Sequence, residues 1–113
     1  MAILFFRDDN GEPRARTGRE RRLLGRFLEA DIQGSVALCD EALKAIAAVA
    51  SGRARSRRLG GNAHTVTVYK RTSRIRAESG RGGELALPTA ELRLALLEWR
   101  LLLDRKACRP PAR

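Results

Sequence analysis

The segment from Leu87 to Arg105, LPTAELRLALLEWRLLLDR, constrains the fold of this chain more than any other. On a wheel of 3.6 residues per turn, Leu92, Ala95, Leu96, Trp99, Leu102 and Leu103 share one broad apolar face. Leu94, Leu97 and Leu101 form a narrower apolar stripe on the opposite side. A mainly basic strip (Arg93 and Arg100, with Asp104) and a mainly acidic one (Glu91 and Glu98, with Arg105) separate the two. A surface helix needs to bury only one face, so this helix is expected to be covered on two sides. Two arrangements meet that requirement. In one, the helix lies between a sheet and another helix; in the other, Leu94, Leu97 and Leu101 are the subunit interface of a homodimer. A membrane span is excluded, because crossing a bilayer takes about 20 mostly apolar residues.

Upstream, residues 2 to 7 read as a short strand with both faces apolar. Asp8-Asp9-Asn10-Gly11 is a dense turn signal, and Glu12 to Arg16 is the return strand. Pro13 cannot donate a ladder hydrogen bond, which makes that return strand an edge. Thr17 to Ile32 is either a helix or an irregular, partly helical connection, since Gly18 and Gly25 interrupt the spacing of Leu23, Leu24, Phe27 and Leu28. Gln33 to Ser51 reads as a helix with Val36, Cys39, Leu43, Ile46, Ala47 and Ala50 on one face, widened by Leu38, Ala42 and Val49 and ended by Gly52. Asp40 and Lys44, four apart on its polar side, are expected to pair.

The stretch from Gly52 to Asn62 is a basic, Gly-flanked loop. Ala63 to Lys70 and Arg74 to Ser79 alternate as a hairpin folded about Arg71-Thr72, with Val68 opposite Ile75 and Val66 opposite Ala77. Glu84 to Leu87 is a brief last strand, and Pro88 suits the first turn of the final helix. The expected fold class is α+β: an antiparallel sheet from two hairpins covered by two long helices. Residues 1–106 form a single domain and residues 107–113 a flexible basic tail.

The 113 residues carry 23 Lys and Arg against 13 Asp and Glu, a formal net charge of +10. That balance favours a polyanionic or acidic partner. Only Lys44, Lys70 and Lys106 are lysine, so nearly all the cations are arginine. Genomic composition bias produces the same excess without selection for binding, and both causes stay open. Arginine is in either case the better residue for bidentate phosphate or carboxylate contacts. Cys39 sits in a helical pattern and Cys108 in a Pro-rich tail, which reads as reduced thiols in a cytoplasmic protein. The opening AILFF is too short and lacks the basic leader of a signal peptide.

The order of elements resembles the YacL family of small bacterial proteins. The residues that carry the resemblance are Phe6-Arg7-Asp8 before a Gly turn, Gly25 with Phe27, Leu38-Cys39-Asp40-Glu41, the Gly61 to Val68 strand and the final helix. These are structural positions. The resemblance implies a fold and no catalytic residues, and the chain departs from the family in its strongly basic charge.

No constellation of side chains in the sequence calls for chemistry. His64 is the single histidine, in phase with Val66 and Val68, and reads as half-buried packing, with a general base as the alternative. One histidine and two distant cysteines make no zinc site. The glycine clusters lack the strand–loop–helix spacing of a phosphate loop. The expectation is therefore a non-enzymatic protein with no cofactor and no metal, binding an anionic partner through Arg53, Arg55, Arg57, Arg58, Arg74 and Arg76. That partner is nucleic acid or an acidic protein surface. The alternative is an immunity- or antitoxin-type inhibitor that occludes the active site of a toxin.

Overall fold

Asp8 to Gly11 close the first hairpin. The Asp8 carboxylate accepts the backbone N–H groups of Asn10 and Glu12, both at 2.9 Å, and Gly11 takes a φ of +81°. On either side, β1 (Leu4–Arg7) and β2 (Pro13–Arg16) pair antiparallel, with Phe5 opposite Ala15. The structure is a computed structural model that describes residues 3–81 and 83–105. Lys106, Cys108 and the tail expected at 107–113 lie outside the described residues.

The ambiguous segment after β2 is helical in three different ways. A 3₁₀ turn at Arg19–Arg21 leads into α1 (Arg22–Phe27), which passes into a π turn at Leu28–Ile32 closed by the Gln33 N–H on the Leu28 carbonyl at 2.7 Å. Gly25 has a packing reason to be there: a Cβ would stand 2.9 Å from Thr17 Cγ2 and 3.4 Å from the Ala15 carbonyl oxygen. The next helix, α2 (Val36–Ala50), starts at Ser35, whose Oγ accepts the Leu38 N–H at 3.0 Å, and stops before Gly52 at φ +83°. Val36, Ala47 and Ala50, expected on its apolar face, are exposed; Cys39, Ala42, Ala45, Ile46, Ala48 and Val49 are the residues it buries.

Four strands follow in sequence order as one antiparallel sheet: β3 (Arg57–Gly60), β4 (His64–Val68), β5 (Thr72–Ala77) and β6 (Glu84–Pro88). The expected single sheet is therefore two sheets, because the first hairpin pairs only with itself. Four residues of the expected basic loop, Arg57–Gly60, form the edge strand β3. An edge strand needs only one inward residue, here Leu59, so the arginines around it masked the pattern. Pro88 ends β6 rather than opening the helix; α3 runs Thr89–Arg105.

The β4–β5 register also differs from the expected one. Val66 lies opposite Ile75, His64 opposite Ala77 and Val68 opposite Ser73, around the turn Lys70-Arg71. This is a two-residue shift, which leaves every side chain on its expected face. Ser73 enters the core because its hydroxyl is satisfied there. Thr89 Oγ1 donates to the Tyr69 carbonyl at 2.6 Å, so Ser73 Oγ is the donor to Thr89 Oγ1 at 2.7 Å.

All three helices pack on one face of this sheet, α2 over β3 and β4, α1 and α3 over β5 and β6. The first hairpin closes the far side of the helical layer, where Phe5 meets Trp99 edge-on at 6.1 Å. Trp99 is fully buried and its Nε1 donates to the Gln33 carbonyl at 2.9 Å. Arg7 donates to the Leu102 carbonyl at 3.0 Å and so ties β1 to α3. The broad face of α3 is buried as expected. Its narrow stripe is not covered by the described residues: Leu94 and Leu101 are each 57% exposed, and Leu97 is half-buried. Asp40 pairs with Arg100 of α3 at 2.8 Å and not with Lys44. Arg100, which also bonds Asp104, is thus held within the chain. Among the described residues, no helix is long and apolar enough to cross a membrane.

Candidate polyanion-binding face and adjoining cleft

With its helices on one side only, the four-stranded sheet presents an open outer face. Antiparallel partners point their side chains the same way, so the register places Arg58, Thr67, Arg74 and Ala86 in one row across the four strands. The neighbouring row is Gly60, Thr65, Arg76 and Glu84. Thr72 and Pro88 continue the face beyond the first row, where the Tyr69 N–H meets the Thr72 carbonyl at 3.1 Å. Adjacent strands are about 4.8 Å apart, so Arg58 and Arg74 stand about 10 Å apart at the backbone.

The acidic side chains of this face gather at one end. Glu84 pairs with Arg74 at 2.8 Å, and Glu78 accepts the hydroxyl of Thr65. Toward the β4–β5 turn the exposed groups are Arg58, Arg74, Lys70, Arg71 and Tyr69, with Tyr69 46% exposed. That end is cationic and carries an aromatic ring.

The six arginines expected to act together are divided by the fold. Arg58, Arg74 and Arg76 share the outer face. Arg57 lies opposite Val68 and so belongs to the helix-facing side; with Arg53 it borders a groove of about 440 Å³ along α2, beside Glu41 and Lys44. Arg55 is exposed on the connection before β3. Lys70, Arg71 and Tyr69 were overlooked in the sequence because the hairpin turn was placed one residue too late.

A cleft of about 820 Å³ lies at the opposite end of the sheet, between α1, β2 and the ends of β4 and β5. His64 is part of its wall and only 5% exposed. Asp31, equally buried, accepts the backbone N–H groups of Ala63 at 3.1 Å and His64 at 2.9 Å, and its Oδ1 lies 3.3 Å from His64 Nδ1. One carboxylate thus fastens the π turn to the β3–β4 turn and orients the imidazole. Gly61 makes the approach possible, since a Cβ there would fall 2.1 Å from Asp31 Oδ2. Asp31 had one legible signal: an acidic residue in phase with Leu24, Phe27 and Leu28 on an otherwise apolar face.

Cys39 is buried on α2, where its Sγ bonds the Leu96 carbonyl at 3.3 Å. Burial, reinforced by Asp40, pushes its thiol up to about 11, which makes it inert packing at neutral pH. Among the described residues, no cluster of His, Cys, Asp and Glu could hold a metal ion.

Comparison with known proteins adds no constraint: no family model matches the chain, and neither the curated proteins nor the solved structures give a match.

Proposed function

We propose that the chain is a nucleic-acid-binding module that lays a single strand across the outer face of its four-stranded sheet. The observation that carries this reading is the uncovered sheet face itself, with Arg58 and Arg74 in one row and Tyr69 beyond them. Guanidinium groups neutralise phosphates, and an exposed aromatic ring offers a base a stacking surface that accepts any sequence. Thr67 and Thr72 between them add neutral hydrogen-bonding groups. The reading needs no enzymatic group, cofactor or metal.

Titrating fluorescein-labelled single-stranded RNA and DNA into the protein at low salt tests it, with anisotropy as the readout. Micromolar binding with little sequence preference is the expected result. If neither strand binds at low salt, the cationic face is left for an acidic protein surface. The immunity- or antitoxin-type reading would then take its place.

A further inference from the structure

We propose a second binding site, for a phosphate monoester, in the cleft walled by His64, with the guanidinium groups of Arg26 and Arg81 completing the recognition. This goes beyond the sheet-face reading and does not depend on it, because the cleft lies at the other end of the sheet and uses different side chains.

The charge balance of the cleft points to an anion. Its two carboxylates are already engaged: Glu29 accepts the Ala15 N–H at 2.8 Å and lies 3.7 Å from Arg14, and Glu78 holds the Thr65 hydroxyl. Arg26 and Arg81 both line the cleft, and neither makes an ion pair among the described residues. Three arginines thus face two carboxylates across one concavity, an excess of one positive charge, with Arg26 and Arg81 outside the ion pairs.

The imidazole supplies the third element. Asp31 is a carboxylate and can only accept, so it fixes His64 Nδ1 as a donor and leaves Nε2 as the ring nitrogen available to a ligand. The ring is held on one side by Asp31 and on another by Phe27, edge-on at 6.4 Å. The imidazole is thus preorganised for a ligand, while the guanidinium groups of Arg26 and Arg81 are exposed and order on binding.

Hydrogen-bond polarity favours a phosphate monoester over a carboxylate or a diester. The two guanidinium forks need acceptor oxygens, whereas Nε2, the lone-pair nitrogen of the Nδ1–H tautomer, needs a donor. The P–OH of a singly protonated phosphate monoester supplies one, and a carboxylate anion or a diester does not. The volume, about 820 Å³, lies within the range of about 300 to 1,000 Å³ typical of small-ligand sites and leaves room for a nucleoside behind the phosphate. The ligand class is therefore a mononucleotide-sized phosphate monoester, either free or as the phosphorylated end of a strand.

His64 is the single histidine of the chain, so its imidazole C–H signals in an NMR spectrum are unambiguous. The experiment titrates the full chain with inorganic phosphate, adenosine monophosphate, adenosine and acetate at constant pH and ionic strength. Saturable shifts of the His64 signals with the two phosphates, and none with adenosine or acetate, are the expected result. Arg26→Gln and Arg81→Gln should each weaken binding about tenfold or more, as losing a charged hydrogen bond does. Buried Trp99 fluorescence checks that both variants stay folded. A strand bearing a terminal phosphate separates the two sources. Tighter binding than adenosine monophosphate, reduced by Arg58→Gln, identifies a strand end, and equal affinity identifies a free nucleotide. No saturable shift, an equal response to acetate, or undiminished binding in both arginine variants would overturn the proposal. Failure of RNA and DNA to bind the sheet face would leave the phosphate titration intact.

Discussion

Gly61→Ala should be among the most damaging small substitutions in this chain, although Gly61 is exposed and lies in a turn. The added Cβ would meet three atoms of one residue: Asp31 Oδ2 at 2.1 Å, Cγ at 2.5 Å and Cβ at 2.7 Å. No rotation of Ala removes that overlap, so Asp31 must withdraw. Its withdrawal strands the N–H groups of Ala63 and His64 and frees the imidazole. An orphaned buried donor costs about 1 to 3 kcal/mol. Partial rehydration at the edge of the cleft lowers the sum, which gives about 2 to 4 kcal/mol for Gly61→Ala. Asp31→Ala removes the same acceptor and should cost a similar amount. The two changes should not add. With Ala at position 31 only the Cβ contact persists, so the double variant should fall short of the sum by about 1 kcal/mol or more. Urea denaturation of the four proteins measures all three quantities. A Gly61→Ala protein within about 0.5 kcal/mol of wild type, or strict additivity, would refute the clamp.

Three further outcomes follow from the same geometry. Val68→Ala, which deletes fully buried methyl groups opposite Ser73 and Arg57, should cost about 1 to 3 kcal/mol in denaturation midpoint analysis, and Thr67→Ala on the outer face far less. Arg21 donates to both oxygens of Glu91, at 2.5 and 3.0 Å, and this hydrogen-bonded charge pair holds the Glu91 carboxyl below its ordinary value. A depressed carboxyl stabilises the fold above the unfolded value, near about pH 4.3, and ceases to do so as pH falls through the folded one, so the stability gap between wild type and Arg21→Gln should be widest at neutral pH and close in acid. If the stripe on α3 is a homodimer contact, light scattering should give a dimer for wild type and a folded monomer for Leu101→Glu; a wild-type monomer at high concentration would rule that contact out.

What could be read from the sequence was periodicity, and what could not was partnership. The two long helices, the last strand and the inward faces of β4 and β5 followed from spacing alone. The hairpin register did not, because Val66 and Val68 are interchangeable to a pattern of alternation. Ser73 fell outside both expected strands, and its place in the core depends on Thr89, sixteen residues away, which supplies its acceptor. Arg100 illustrates the same limit in electrostatics. On the helical wheel it lies in a basic strip free to meet another chain, and in space it is held by Asp40, sixty positions back. The candidate site shows both sides. Arg58, Arg74 and Arg76 were legible as charges, but their shared face depends on strand pairing. The pairing of Asp31 with His64 was illegible, because the two meet only after the π turn and the β3–β4 turn have closed.

The salt dependence of RNA binding, compared between two arginine variants, tests the central claim most directly. The strands of the sheet face offer Arg58, Arg74 and Arg76, apart from Lys70 and Arg71 in the turn. With three phosphates neutralised on a single strand, log K should fall with log salt at a slope of about −2.1, or about 20-fold between about 50 and 200 mM. Recruiting Arg53, Arg55 and Arg57 as well would double the slope to about −4.2 and give a loss of about 300-fold over the same range. Arg58→Gln with Arg74→Gln should flatten the slope by about 1.4 and weaken binding at every salt concentration, while Arg53→Gln with Arg55→Gln should leave the slope unchanged. A slope that responds to Arg53 and Arg55 but not to Arg58 and Arg74 would place the polyanion elsewhere and contradict the account.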